Sequence, residues 1–330
     1  MRIAVDVMGG DLGASEIVPA VVRASQDYPD TEFVLYGDEV SIGQRLERSH
    51  SFELVHTTDT VQMDDKPAWA LRHRQSSSMY RAVTAVADGD VEGCVSPGNT
   101  GALMAISRHV LKTVPGVDRP AIIKAIPSTH GRCYLLDLGA NINCSADNLV
   151  QFAVMGSLMC GAVEGIESPR VGLLNIGEEE SKGEDVVREA AARLRDIPAV
   201  NFIGFVEGDG IYQSEADVLV CDGWVGNMVL KTSEGLARFV AQMIGEAFRK
   251  DLAAMAAALV SDPVLKKLRE ALSPEIYNGA TLLGLNGIVV KSHGSANANG
   301  FYHALCETRR CVEQAVPDLL GAKIAQLTGE

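Results

Sequence analysis

Apolar residues along this chain come in short unbroken runs more often than in strict alternation. Ile3–Met8, Glu32–Gly37, Phe52–Thr57, Val91–Val95, Ile122–Ile126, Cys133–Leu138, Val171–Ile176, Val218–Cys221 and Ile288–Val290 read as strands, many closed by a glycine-containing turn. Between them the spacing predicts helices. Ser15–Gln26 carries Ile17, Val18, Val21 and Val22 on one side, Val40–Arg48 is brief, Pro67–Val86 buries Leu71, Met79, Val83 and Val86, and Ala102–Leu111 follows a turn. Strands that are apolar throughout suit a mostly parallel sheet covered on both faces. The expected fold is α/β, a three-layer α/β/α sandwich forming one unit over residues 1–330.

One segment departs from this rhythm. Thr232 to Leu272 reads as a projecting helical hairpin, with Ser233 as its cap, Leu236, Val240, Met243 and Ala247 on one stripe, and Phe248, Leu252, Met255 and Leu259 on a second. Pro263 is expected to restart a helix carrying Val264, Leu268 and Leu272. Arg249, Lys250, Lys266, Lys267 and Arg269 gather around the break. Two readings stay open: packing in a dimer with the basic residues solvated, or contact with an anionic membrane surface or acidic protein. The alanines at 253, 254 and 256–258 limit the apolar area per turn, so any membrane association is expected to be weak and reversible.

Charge narrows the field. Against 43 Asp and Glu stand 29 Lys and Arg, a net charge of −14, with no basic run that could track a phosphate backbone; nucleic acid is not an expected partner. The seven cysteines are scattered without a Cys-x-x-Cys pair and lie mostly in apolar surroundings, as expected of buried thiols in a reducing compartment. A strand beginning at Ile3 leaves no expected room for a signal peptide, and no uninterrupted apolar run reaches the roughly 20 residues of a membrane span.

Several chemistries lack their motifs. There is no Gly-x-Gly-x-x-Gly after the first strand, no Walker loop, no Gly-x-Ser-x-Gly elbow, and no short-spaced histidine pair for zinc. What remains is a set of glycine-bearing polar loops at strand ends. Ser96-Pro97-Gly98-Asn99-Thr100-Gly101 would aim backbone N–H groups and the Asn99 and Thr100 side chains at an anion. Asn175–Gly183 directs Lys182 toward a site. Asp222-Gly223-Trp224-Val225-Gly226-Asn227 ends near Lys231, and Lys291-Ser292-His293-Gly294-Ser295 follows the last strand. So many polar loops on one predicted edge imply a single active-site rim, since open α/β sheets bind ligands beyond the carboxyl ends of their strands.

These loops resemble those of the phosphate acyltransferase family, the fatty acyl-acyl-carrier-protein:phosphate transacylases of bacterial phospholipid synthesis. The matching stretches are Asp6-Val7-Met8-Gly9-Gly10-Asp11, Ser96 to Leu103, Leu136-Asp137-Leu138-Gly139-Ala140-Asn141, Leu174 to Gly183, Phe202 to Gly208, Asp222 to Asn227 and Lys291 to Ser295. They run in order through nearly the whole chain. Pro97 stands where a small residue is usual, Asn143 where an aspartate commonly follows, and Ala296-Asn297 where Ser-Asp is typical.

The resemblance implies a homodimer with a fold like the isocitrate and isopropylmalate dehydrogenases and the phosphotransacetylases. It implies transfer of an acyl group from acyl carrier protein to inorganic phosphate, with product passed to a membrane glycerol-3-phosphate acyltransferase, and a cytoplasmic protein held peripherally at the inner face of the membrane. No cofactor and no metal are expected. Phosphate attacks the thioester itself, so the protein has to hold phosphate, orient it and stabilise charge. Lys182, His293, Asn99 and Lys291 are the expected catalytic residues. Asp11, Gly98, Thr100, Asn141, Asp222, Asn227 and Ser295 are the expected substrate and phosphate contacts. Arg249, Lys250, Leu252, Met255, Leu259, Lys266, Lys267 and Arg269 are expected at a membrane or partner. A thioester relay through Cys94 or Cys221, transfer from acyl-coenzyme A, and a non-catalytic carrier-protein scaffold are the alternatives, with a decarboxylating dehydrogenase more remote.

Overall fold

A computed structural model describes residues 1–46, 52–273 and 275–328, and for residues 252, 268–272 and 326–328 it describes the backbone alone. The first third alternates strand and helix: β1 (Arg2–Asp6), α1 (Ala14–Asp27), β2 (Glu32–Gly37), α2 (Glu39–Gly43), β3 (Glu53–His56), α3 (Pro67–His73), α4 (Ser78–Ala87), β4 (Gly93–Ser96) and α5 (Thr100–Leu111). A hairpin of β5 (Ala121–Ser128) and β6 (Gly131–Leu136) leads into α6 (Ala146–Glu164), β7 (Arg170–Leu174), α7 (Asp185–Arg195), β8 (Asn201–Val206) and β9 (Val218–Val220). Then come α8 (Gly223–Phe248), α9 (Leu252–Leu272), β10 (Ala280–Leu283), β11 (Ile288–Lys291), α10 (Ala298–Glu313) and α11 (Val316–Thr328).

The eleven strands among the described residues share one sheet in the order β3-β2-β1-β4-β11-β10-β5-β6-β9-β7-β8. The first five are mutually parallel, and so are the last four. Between these blocks β10 runs antiparallel to both neighbours and β5 antiparallel to β6. The two parallel blocks therefore point in opposite directions. The mostly parallel sheet expected from unbroken apolar runs is present within each block. A single rim of strand-end loops is not. Loops after β1, β4 and β11 open on one edge of the sheet, and loops after β6, β7 and β9 open on the other.

Helices cover both faces. One core, with Ile17, Phe152, Leu194, Phe301 and Leu320, lies under α1, α6, α7, α10 and α11. The other, with Met79, Val83, Leu103, Ile106 and Leu135, lies under α3, α4 and α5, and α8 packs against its edge through Val225, Val229 and Leu230. Among the described residues α6 alone is long and apolar enough to cross a membrane, and it is mostly buried in the first core.

Three boundaries differ from the sequence reading. The helix expected over Pro67–Val86 is two helices, because Asp59 holds Arg74 at 2.8 Å and the Ser76 hydroxyl at 2.7 Å, and Ser77 then caps α4. The long helix begins at Gly223, capped by Asp222; Ser233 lies inside it and bonds back to the Val229 carbonyl at 2.7 Å. Pro263 does not restart a helix, since α9 runs through it. The expected brief helix Val40–Arg48 is α2, and Arg48 lies outside the described residues.

The hairpin of α8 and α9 is as apolar outside as expected. Phe239, Met243, Met255, Leu259, Val260 and Val264 are all at least half exposed, and Arg249, Lys250, Lys266 and Lys267 are exposed beside them. The Leu252 and Arg269 side chains lie outside the described residues. This contrast yields a stability test: Phe152→Ala, deep in the core, should cost about 3–5 kcal/mol of unfolding free energy. Phe239→Ala should stay within about 0.5 kcal/mol, both read by denaturant unfolding of the purified protein.

Candidate active site

The antiparallel middle of the sheet is the floor of a cleft of about 560 Å³. Ile122 and Lys124 of β5 and Ala280 of β10, paired with Lys291, form the floor; α5 is one wall and the first three turns of α8 the other. The helices approach from opposite edges, α5 from the carboxyl end of β4 and α8 from that of β9. The start of α5 thus meets the Lys231–Glu234 turn of α8, where Lys291, Ser292 and His293 leave β11. This is the kind of cavity, between two halves of an α/β sheet, in which small ligands are held.

Its polar end concentrates positive charge in a chain that is strongly negative. The Lys231 ammonium binds Glu234 at 2.9 Å, and Lys124 reaches the same buried carboxylate at 3.6 Å. Burial of Lys124 lowers its pKa, with Glu234 opposing, and burial raising Glu234 is outweighed by the two lysines, so its pKa falls. Lys291 is 8% exposed and donates to the carbonyls of Pro97, at 3.2 Å, and Ser292. An ammonium has three N–H groups, so one remains for a ligand. Burial, followed by the Lys231 charge, brings Lys291 down to about 8.

His293 is lowered by burial and then by Lys231, so it is neutral at pH 7. The Ser295 backbone N–H, 3.3 Å from Nδ1, can only donate. Nδ1 is thereby assigned as acceptor and the proton to Nε2. Nε2 then faces Lys231 Nζ at 3.5 Å, two donors on one spot. An anionic oxygen placed there would satisfy both. At the wall, Asn99 caps α5 by accepting from Ala102 N at 3.0 Å, leaving the N–H groups of Thr100 and Gly101 without a carbonyl one turn back.

Two buried carboxylates hold this geometry from beneath. Asp6 accepts the Ser78 and Ser96 hydroxyls, each at 2.6 Å, tying β1 to β4 and α4. Asp137 accepts from Ile122 N at 2.9 Å, Asn141 N at 2.6 Å and Asn141 Nδ2 at 2.9 Å, tying the loop after β6 to β5. Burial raises the pKa of both despite these bonds. Two glycines serve the same joints. Gly10 sits at φ +75°, where a side chain would strike the Gly294 carbonyl at 2.7 Å, and a Cβ on Gly226 would lie 1.9 Å from the Asp137 carbonyl.

Comparison with known proteins gives the family of the chain. Residues 1–319 match the family described as fatty acid synthesis protein. A phosphate acyltransferase of Halorhodospira halophila is 47% identical, covering 100% of this chain and 97% of that protein. One from Legionella pneumophila is 46% identical over 98% and 96%. The chain belongs to the phosphate acyltransferase family. Its fold is shared more widely: a phosphotransacetylase from Streptococcus pyogenes superposes with a TM-score of 0.64 at 18% identity, covering 95% of this chain and 94% of that one. A 4-hydroxythreonine-4-phosphate dehydrogenase from Klebsiella pneumoniae gives 0.56 at 14%, covering 94% and 99%.

Among the residues expected to serve this phosphate acyltransferase, the structure brings Lys291, His293, Thr100 and Asn227 into the one cleft. Ser295 touches it through His293, its hydroxyl 3.0 Å from Nδ1. Asp11 is exposed just outside, its N–H bonded to the Gly294 carbonyl at 2.8 Å. The side chains of Asn99, Asn141 and Asp222 do not line the cleft. The Asn99 amide, besides its cap, donates to the carbonyls of Met63 at 2.8 Å and Asp65 at 3.0 Å, so its hydrogen-bonding capacity is taken by the chain itself. Asn141 is buried on Asp137 and the Pro120 carbonyl, Asp222 caps α8 at 2.8 Å, and the Gly98 N–H is taken by Ser96 Oγ at 3.1 Å. These four shape the walls.

Lys182 is not brought to the cleft of its own chain. Its loop follows β7, which lies beyond β9 from the floor strands and ends on the edge opposite His293; the side chain is exposed. Conversely, the sequence reading passed over Lys124, Glu234 and Asn278 and noted Lys231 only as a loop end. Asn278 is buried, donates to Ser292 Oγ at 2.7 Å and accepts from His293 N at 3.0 Å, fixing the turn that presents the histidine. A lone lysine inside the apolar run Ile122–Ile126 was a visible signal. Asn278 and Glu234 carried none.

The Lys291 ammonium is the acid form, so its attraction for an anion is complete below about pH 8 and is lost as pH rises through it. Phosphate KM should therefore climb about tenfold between pH 7 and 9. Lys291→Arg, whose guanidinium stays charged, should flatten that rise; a wild-type KM already constant over this range would remove Lys291 from the anion site.

Proposed function

We propose that the chain transfers a long-chain fatty acyl group from acyl-acyl-carrier-protein to inorganic phosphate, yielding an acyl phosphate for phospholipid synthesis. The observation that carries this reading is the cationic end of the cleft. Lys231, Lys291, a neutral His293 and the open first turn of α5 converge there, in a chain of net charge −14. The phosphate acyltransferase family supplies the reaction class, and an acyl carrier protein is the donor consistent with a fatty acid synthesis family.

The step is a direct displacement. A phosphate oxygen bonds to the thioester carbonyl carbon, the carbon–sulfur bond breaks, and the thiolate leaves with the electron pair. The proton carried by hydrogen phosphate ends on that sulfur, and His293 donates its Nε2–H to the anion, holding the phosphate in position for attack. The lysines and the helix start stabilise charge on phosphate and on the carbonyl oxygen. A relay through cysteine fits poorly, because Cys94 and Cys221 are buried and burial pushes both thiols far up. Neither lines the cleft.

The hairpin supports a peripheral role. Its exposed Leu259, Val260 and Val264 beside Lys266 and Lys267 suit weak contact with an anionic membrane on the cytoplasmic side, next to a membrane acyltransferase, as well as a homodimer. Leu259→Glu with Val260→Glu should abolish sedimentation with anionic vesicles. Unchanged sedimentation together with a shift to monomer would assign the face to the dimer alone.

The reaction itself is tested by incubating protein, palmitoyl-acyl-carrier-protein and phosphate, and trapping acyl phosphate as its hydroxamate. Product should need both substrates, and Lys231→Ala should raise phosphate KM by about tenfold or more. Carrier release independent of phosphate would indicate a thioesterase. Equal or better use of acyl-coenzyme A would favour the phosphotransacetylase-like reading, and binding of carrier without turnover in wild type would favour a scaffold.

A further inference from the structure

At its Lys124–Glu234 end the cleft adjoins a second cavity of different chemistry. This groove, about 430 Å³, lies between the outer part of β5 and the middle of α8, with Tyr212 and Tyr277 at its sides. Lys124, Leu230 and Glu234 line both cavities, so the two adjoin at these residues. Past that junction the walls are Ile126, Pro127, Leu236, Ala237 and Val240.

Most of the polar side chains along the groove already have partners. The Tyr212 hydroxyl donates to Ser233 Oγ, which donates to the Val229 carbonyl at 2.7 Å. Thr129 Oγ1 donates to the Tyr212 carbonyl at 2.8 Å, Ser128 and Ser214 hydroxyls pair at 2.9 Å, and Ser273 Oγ accepts from Glu275 N at 3.3 Å. Glu234 is neutralised by two lysines. Beyond the junction the groove thus offers an apolar occupant a matching surface and gives a charged one no countercharge.

We infer that this groove holds the hydrocarbon chain of the acyl substrate, with the Lys124–Glu234 pair marking the level at which the reacting carbonyl stays in the polar cleft. The inference rests on the transacylase reading for the identity of the chain. It follows from adjacency: a molecule with a reactive polar head and a long apolar tail needs a cationic pocket directly beside an apolar one. The groove follows α8 away from the cleft, so residues successively further along the helix measure the chain. Ala237 and Val240 stand three residues apart, about 4.5 Å along the axis, and they act as specificity-determining positions for length.

The test fills the groove at two depths. Ala237→Phe and Val240→Phe are compared with wild type using butyryl- and palmitoyl-carrier protein, with hydroxamate trapping. Each methylene barred from the groove costs about fourfold in efficiency. The palmitoyl-to-butyryl ratio of kcat/KM should therefore fall about tenfold or more in Ala237→Phe. In Val240→Phe the loss should begin at longer chains, read with donors of intermediate length. Equal loss on both donors, no change in the ratio, or loss accompanied by a change in oligomeric size would each overturn the assignment, the last by placing a second copy over the groove. If wild type makes no phosphate-dependent product, the transacylase reading fails on its own. Binding of a fluorescent C16 fatty acid then decides the groove: weaker binding to Ala237→Phe supports it, and unchanged binding rejects it.

Discussion

The direction reversal at the centre of the sheet is the constraint on which the site depends. Were all eleven strands parallel, the helices after β4 and β9 would start at the same edge and their dipoles would point the same way across the face. Because β10 and β5 turn the second block over, α5 and α8 start at opposite edges and run past each other. The open start of α5 then faces the third turn of α8, which is where Lys231 and Glu234 sit. A helix N-terminus and a lysine pair can share one anion only in that arrangement.

Holding several lysines together has an electrostatic cost, since like charges in a partly dry cleft repel and burial disfavours each. The structure answers in two ways. Glu234 lies between Lys124 and Lys231 and offsets one charge. Lys291 is steadied by two backbone carbonyls, which orient it without neutralising it. The net charge that remains is the quantity a dianionic substrate encounters, and it is held by groups that need not reorganise as charge develops.

The fold was largely legible, and the reason is local. Unbroken apolar runs bounded by turns located β1, β2, β4, β5, β6, β7, β9 and β11 to within a few residues, since strand identity depends on burial of consecutive side chains. Strand direction was not legible, because parallel and antiparallel buried strands have the same pattern, and with it went the expectation of one rim of loops. The glycine-bearing motifs were visible for the same local reason, yet their most polar members proved to be builders. Asn99 and Asp222 cap helices, and Asn141 braces Asp137. A capping residue and a ligand-binding residue are drawn from the same types, Asn, Asp, Ser and Thr, so composition at a helix start does not separate them.

What separates them is whether the side chain's hydrogen bonds are already made. Lys231 and Lys291 retain donors toward the cleft, while Asn99 has none left. The same accounting divides the surface along α8. From Asn227 to Glu234 its inward side meets lysines, a histidine and a helix start; from Leu236 to Val240 it meets hydroxyls already paired and aliphatic carbon. One helix therefore carries a polarity boundary along its length, and that boundary falls at the buried Lys124–Glu234 pair. A buried ion pair adds little to stability on its own account. It does make the change from polar to apolar abrupt, and an abrupt change positions an amphipathic molecule along the helix axis better than a gradual one.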